Sequence, residues 1–209
     1  MLERNVAPRA KGRKITVRDV MTIASMMVIA FILSLVVAAI TLPFPPVYLY
    51  AAAGIDGLTG ATFYLVAANR VNKHGLIFVW TTVYGLIEGI LGYAFLIPYF
   101  LVVALLAELA MIGNDAYRSP MRNAIGWAIY TAGMFVGSAV PLWWAWESYR
   151  KMALNSGFTD ATLDMQKAMV TTPELMAVGV VVSATCAIAG VAFGQRLLKR
   201  HFVKAGVLK

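Results

Sequence analysis

Val20–Leu42 reads VMTIASMMVIAFILSLVVAAITL, 23 residues without a charged side chain. At a helical rise of 1.5 Å per residue such a run reaches about 34 Å, enough to cross the roughly 30 Å hydrocarbon layer of a bilayer. A cleavable signal has an apolar region of only about 7–15 residues, so this run is read as a retained membrane helix. A basic arm precedes it, with Arg4, Arg9, Lys11, Arg13, Lys14 and Arg18. A stiff, uncharged connection, Thr41-Leu42-Pro43-Phe44-Pro45-Pro46, follows it.

The same reading, carried along the chain, predicts five further spans. They are about Val47–Ala68, Gly75–Ala94, Pro98–Ile112, Asn123–Trp146 and Pro173–Leu198. The third and fourth come from one 39-residue stretch, Gly75–Gly113, in which only Glu88 and Glu108 carry charge. That is too long for one crossing. Gly92 and Pro98 break it into a hairpin, because glycine loosens a helix and proline removes a backbone donor. The longest connection, Glu147–Thr172, has a polar pattern that predicts a short surface helix near Asp160–Met169.

Composition excludes a soluble domain. Of 209 residues, 60% are hydrophobic and 13% charged, and the mean hydropathy is +0.74. Soluble domains have about half apolar and a quarter charged residues. The net charge of +8 would suggest nucleic acid in a soluble protein, but here the basic residues sit at the ends and in short loops. Of the 18 lysines and arginines, only Arg150, Lys151 and Lys167 fall on one side of the six-span topology. The arm, Arg70, Lys73, Arg118, Arg122, Arg196, Lys199, Arg200, Lys204 and Lys209 fall on the other. The positive-inside rule makes that side cytoplasmic and puts both termini there. The expected organisation is a basic arm at 1–19, a transmembrane domain at 20–198 and a basic tail at 199–209. The fold class is all-α integral membrane, with six transmembrane helices.

Catalytic and metal constellations are lacking. The single Cys186 lies in an apolar run and suits packing. His74 and His201 both fall in basic segments, without an intramembrane partner. The sequence holds no HExxH, no GxSxG in a span and no Walker sequence. The protein is therefore expected to be no enzyme, to carry no cofactor or metal, and to need other subunits for any ATP-driven role.

Three carboxylates fall within spans: Asp56, Glu88 and Glu108. A charge at bilayer depth costs about 2.5–3.5 kcal/mol or more, so such groups face the bundle interior or water. Glu108 lies near the cytoplasmic end of its span, within reach of interfacial water or Arg118. Asp56 and Glu88 lie near mid-depth or beyond, and no span supplies a lysine or arginine to pair with them. They are candidates to be protonated or to meet a polar ligand. Aromatic residues gather at the outer ends, among them Tyr48, Tyr50, Tyr93, Tyr99 and the run Trp143-Trp144-Ala145-Trp146. An interfacial belt accounts for many of them. The three tryptophans cannot all face lipid, since successive helical residues turn by about 100°. One turned inward beside Glu147 and Arg150 would make an apolar pocket with a few polar groups. Small residues recur at Ala30, Ser34 and Ala38, on one helical face, and at Gly133–Gly137 and Gly190–Gly194. This spacing permits close helix contact in lipid. For the first span it fits a partner-docking face or internal packing; for the glycine pairs it fits packing within the bundle.

Several segments resemble the MptD-type (Trep-Strep) family of bacterial integral membrane proteins. They are Pro45-Pro46, the stretch VAANRVNKHG at Val66–Gly75, Leu106-Ala107-Glu108-Leu109, Tyr117-Arg118-Ser119 and the tail GQRLLKRHFVKAGV at Gly194–Val207. The likeness spans almost the whole chain; Asn69 and Asn72 stand where more basic residues are expected. It implies a six-helix bundle like that of the substrate-binding S components of energy-coupling factor (ECF) transporters. It also implies partners: a membrane coupling subunit and two cytoplasmic ATPases. Ala30, Ser34 and Ala38 match the small-residue device that docks the coupling subunit in that group. Substrate would enter from outside, under the outer loops. The expected function is capture of a small vitamin-like molecule, with Tyr93, Glu88, Trp143, Trp144, Glu147, Arg150 and Asp56 as candidate contacts. The alternatives are a stand-alone, proton-coupled carrier and an enzyme in which Asp56 and Glu88 share a proton; the absence of a visible inverted repeat weighs against the carrier.

Overall fold

The computed structural model describes residues 15–113 and 115–202, with no strand among them. The basic residues Arg4, Arg9, Lys11, Arg13, Lys14, Lys204 and Lys209 lie outside that range, as does the side chain of His201. The helices are α1 (Val17–Thr41), α2 (Pro45–Val71), α3 (Leu76–Glu88), α4 (Leu96–Leu109), α5 (Pro120–Trp144), α6 (Trp146–Asn155), α7 (Asp160–Thr171) and α8 (Pro173–Leu197). Five stretches are long and apolar enough to cross a bilayer: α1, α2, α3 with its π-helical extension to Tyr93, α5, and α8 extended to Arg200. The sixth expected span is α4, an apolar helix of only 14 residues. It covers about 21 Å, short of a full hydrocarbon layer. The molecule is a helical membrane bundle.

Local chemistry explains where the ends fall. The first helix starts three residues before the apolar run, because Thr16 and Asp19 form a reciprocal capping box. The Asp19 carboxylate accepts from Thr16 N–H at 2.7 Å, and the Thr16 hydroxyl accepts from Asp19 N–H at 3.4 Å. Pro45 and Pro46, expected in a connection, form the first turn of α2 instead. Proline suits that position because its missing N–H has no intrahelical acceptor there. Gly92, at φ 109, turns the chain between α3 and α4 as the sequence suggested.

The fifth span ends earlier than expected. At Ala145 the backbone leaves helical geometry (φ −131, ψ 34), and Trp146–Asn155 becomes the separate helix α6. The connection to α8 thus carries two helices, α6 and α7, rather than one. In α6, Ala153 is buried while Glu147 and Lys151 are exposed, so it lies flat on the bundle end.

α2 and α8 run side by side in the same direction, with α5 against both. A Cβ on Gly190 would lie 2.6 Å from the Leu58 carbonyl oxygen and 2.7 Å from the Leu58 Cα, so only glycine permits this approach. The α3–α4 hairpin packs on α5, and α1 leans on α2 while barely touching α3. A cleft therefore remains between α1 and α3.

The end carrying Lys73, Asn72 and Asp115 is tightly tied. Lys73 pairs with Asp19, and Asn72 donates to Asp115 at 2.7 Å. Glu108 works here through the start of α3 and Tyr117, with His74 Nδ1 3.7 Å from its carboxylate. Its carboxylate accepts from Gly75 N–H at 2.8 Å, from Phe78 N–H at 3.3 Å and from the Tyr117 hydroxyl at 2.6 Å. Tyr117 in turn accepts from Ile77 N–H at 3.1 Å. The residue preceding α3 is Gly75, which has no side chain to cap the helix. Residues remote in sequence supply the cap instead. Burial first, then the adjacent Glu108 carboxylate, hold the Tyr117 phenol well above its ordinary pKa, so it keeps the proton it donates.

Candidate functional site: a carboxylate- and tyrosine-lined chamber

Three buried aromatic rings close the bundle toward the tied end. Tyr64 stacks on Trp127 with ring centroids 4.6 Å apart, and Trp80 meets Trp127 edge-on at 5.8 Å. The polar edges are satisfied. Tyr64 donates to the Asn123 side-chain oxygen at 2.9 Å, Asn123 donates to the Tyr117 carbonyl at 2.7 Å, and the Trp127 indole donates to the Gly57 carbonyl at 2.7 Å. Buried polar groups so paired fix a single arrangement of rings. They form a rigid floor.

Beyond that floor the helices separate into a chamber. Helical spacing sets its walls: Trp80, Tyr84 and Glu88 succeed one another along one face of α3, and Asp56, Gly60 and Tyr64 along one face of α2. The main lobe holds about 260 Å³ and is lined by Asp56, Glu88, Tyr48, Tyr84, Tyr93 and Ser34, among others. A second lobe of about 130 Å³ shares Tyr48, Tyr84, Glu88 and Tyr93 and adds Tyr149 from α6. A narrow recess beneath connects Asp56 with Trp80, Trp127 and Tyr130. No lysine, arginine or histidine lines any of these spaces among the described residues.

The Asp56 carboxylate is incompletely served by the protein. Ser34 stands beside Asp56, and Tyr84 beside Glu88. Asp56 Oδ1 is nonetheless buried with no hydrogen-bond partner among the described residues. On the side facing α1 and α3 the chamber runs into an apolar groove of about 200 Å³, with Phe31 at the junction.

The helices α6 and α7 cover the far end. The Trp143 indole donates to the Val170 carbonyl at 3.0 Å, Tyr50 donates to the Met169 carbonyl at 3.2 Å, and Tyr149 donates to the Gln166 side chain at 3.1 Å. Lys167 sits over the Trp146 ring, 4.2 Å from its centroid. Burial raises the Tyr149 phenol above its ordinary pKa, consistent with its role as donor.

The structure brings three of the candidate residues together: Asp56, Glu88 and Tyr93 all line the main lobe. Four others stand apart from it. Trp143 fastens α7 to α5, Trp144 is 76% exposed, Glu147 is exposed, and Arg150 binds Asp160 at 2.5 Å. The tryptophan cluster is resolved by fastening and exposure, with none of its rings lining a described cavity. Ala30, Ser34 and Ala38 lie half-buried on the α1 face that looks into the bundle; Ser34 and Ala38 line the main lobe, and Ala30 the recess. Tyr149, one of the aromatics gathered at the outer ends, lines the second lobe. Tyr84 and Ser138 line the chamber without having been singled out from the sequence. The signal for Tyr84 was its i, i+4 step to Glu88; for Ser138 there was none.

Among known proteins, a family model described as a hypothetical bacterial integral membrane protein (Trep_Strep) matches residues 17–204. No curated protein and no solved structure matches the chain.

Proposed function

Since the chain belongs to the Trep_Strep family of bacterial integral membrane proteins, with a polar chamber set inside its bundle, we propose that it is the substrate-capture subunit of an ECF-type importer. The observation that carries this reading is the chamber: two carboxylates and three tyrosines around about 260 Å³ between the helices of an apolar bundle. That volume suits a small, vitamin-like molecule. The chain has no Walker sequence to drive transport itself. Its work in this proposal is binding, with no catalytic step.

In this reading the tied, basic end faces the cytoplasm with both termini, and the chamber opens toward the outside beneath α6 and α7. The coupling subunit docks along the outward-facing side of α1, at Ile29, Ile32, Val36 and Ile40; the expected docking residues Ala30, Ser34 and Ala38 look the other way, into the chamber and its recess. Two ATPases act through that subunit. Purification after coexpression with ECF coupling and ATPase subunits from the same bacterium tests this. The expected result is a complex holding a larger membrane protein and two ATPases. Isolation of the chain always alone would count against the assignment.

One observation favours a second reading, a stand-alone proton-coupled carrier. Asp56 and Glu88 face a shared cavity without a basic partner among the described residues, as proton-relay carboxylates do. Uptake that persists in cells stripped of every ECF ATPase would favour the carrier.

A further inference from the structure

We propose that the molecule bound in the chamber carries a positively charged organic group, an ammonium or a protonated heterocycle, held between Asp56 and Glu88. The inference rests on the capture reading above and specifies its ligand class. Both carboxylates line one cavity, and no cationic side chain among the described residues lines it with them. The buried Asp56 Oδ1 has no protein donor among the described residues, so a donor from outside has a place to go. A ligand cation would satisfy both groups at once, through charge-assisted hydrogen bonds. An anionic ligand would find no cationic side chain among the described residues of the lining to pair with.

The surroundings favour an organic cation over a metal ion. The described residues contain no group of three or more His, Cys, Asp or Glu side chains placed to hold a metal. The cavity of about 260 Å³ is far larger than a bare ion needs. Tyr48, Tyr84 and Tyr93 line the same cavity. Aromatic faces attract an ammonium through their quadrupole, and do so more strongly once water is excluded.

The test compares three probes of similar size on the purified full chain in detergent, by isothermal titration calorimetry. They are benzylammonium, benzyl alcohol and benzoate. The expected result is saturable binding of the cation with the neutral and anionic probes weaker, and a loss of about tenfold or more in Asp56→Asn or Glu88→Gln, the fold-change that one charge-assisted contact carries. Equal or tighter binding of benzoate or benzyl alcohol would overturn the proposal. So would an unchanged cation affinity in both carboxamide variants, or no saturable cation binding at millimolar concentration. The charge preference of the unaltered chain decides the matter even if a variant fails to fold. Copurifying ATPases together with a preference for benzoate would sink the ligand class alone. Cation preference without any ATPase partner would sink the importer assignment alone.

Discussion

Replacing Glu108 by alanine should loosen the α3–α4 hairpin from the tied end. The carboxylate accepts from two N–H groups at the start of α3 and from the buried Tyr117 hydroxyl. Gly75 offers no side chain in its place. Hydrogen bonds to a charged group contribute about 1.5–3 kcal/mol each, and loss of a helix cap costs about 1 kcal/mol. Water reaches this end of the molecule and repairs part of the damage, so the net cost of Glu108→Ala is placed at about 3 kcal/mol. For a chain of this size that corresponds to a fall of about 6–12 °C in Tm. Glu108→Gln keeps one acceptor oxygen and should cost about half as much. Tyr117→Phe strands the Ile77 N–H and removes one donor to Glu108, a loss of about 1–2 kcal/mol. The two side chains share a bond, so the double variant should lose less than the sum of the singles. Thermal melts in detergent, followed by circular dichroism, read all four. A Glu108→Ala melt indistinguishable from the unaltered protein, or strictly additive losses, would refute the remote-cap account.

Gly190→Ala should drive α8 off the Leu58 backbone, where a Cβ has 2.6 Å of room. The expected loss is about 1–3 kcal/mol, seen as a lower melting temperature. Trp143→Phe keeps an aromatic ring and removes the indole donor to the Val170 carbonyl. It should cost about 1 kcal/mol and speed amide exchange in α7 more than in α5, measured by mass spectrometry. Reporter fusions address the orientation: both ends should report cytoplasmic, while a cysteine placed in the Glu147–Thr172 connection of a Cys186→Ala chain should react with an impermeant thiol reagent from outside.

The long helices were legible because an uncharged run of membrane-crossing length exposes too much apolar surface to be stable in water. The helix edges were less so. Pro45-Pro46 reads equally as a stiff connection or as a helix start, and the fold chose the start. α6 escaped notice because its polarity resembles a loop; only its packing on the bundle end makes its apolar face visible. In the chamber, Asp56, Glu88 and Tyr93 stood out because carboxylates and a tyrosine near membrane depth need a purpose. Trp143 and Trp144 stood out for density, yet density says nothing about which way a ring points. Their direction depends on where α5 breaks, at Ala145, and on the Trp143 bond across to the Val170 carbonyl of α7. Glu108 shows the same limit. Its charge was visible, but its backbone donors lie about 30 residues away along the chain, at the start of α3.

The central claim is capture of a small molecule in the chamber between α1, α2, α3 and α5. Native mass spectrometry of the full chain, purified gently from its own bacterium's membranes, tests it most directly. The account predicts a bound non-lipid mass at one copy per chain that is lost in the Asp56→Asn/Glu88→Gln double variant. A chain that carries lipid alone, or a ligand that the double variant retains in full, would contradict it.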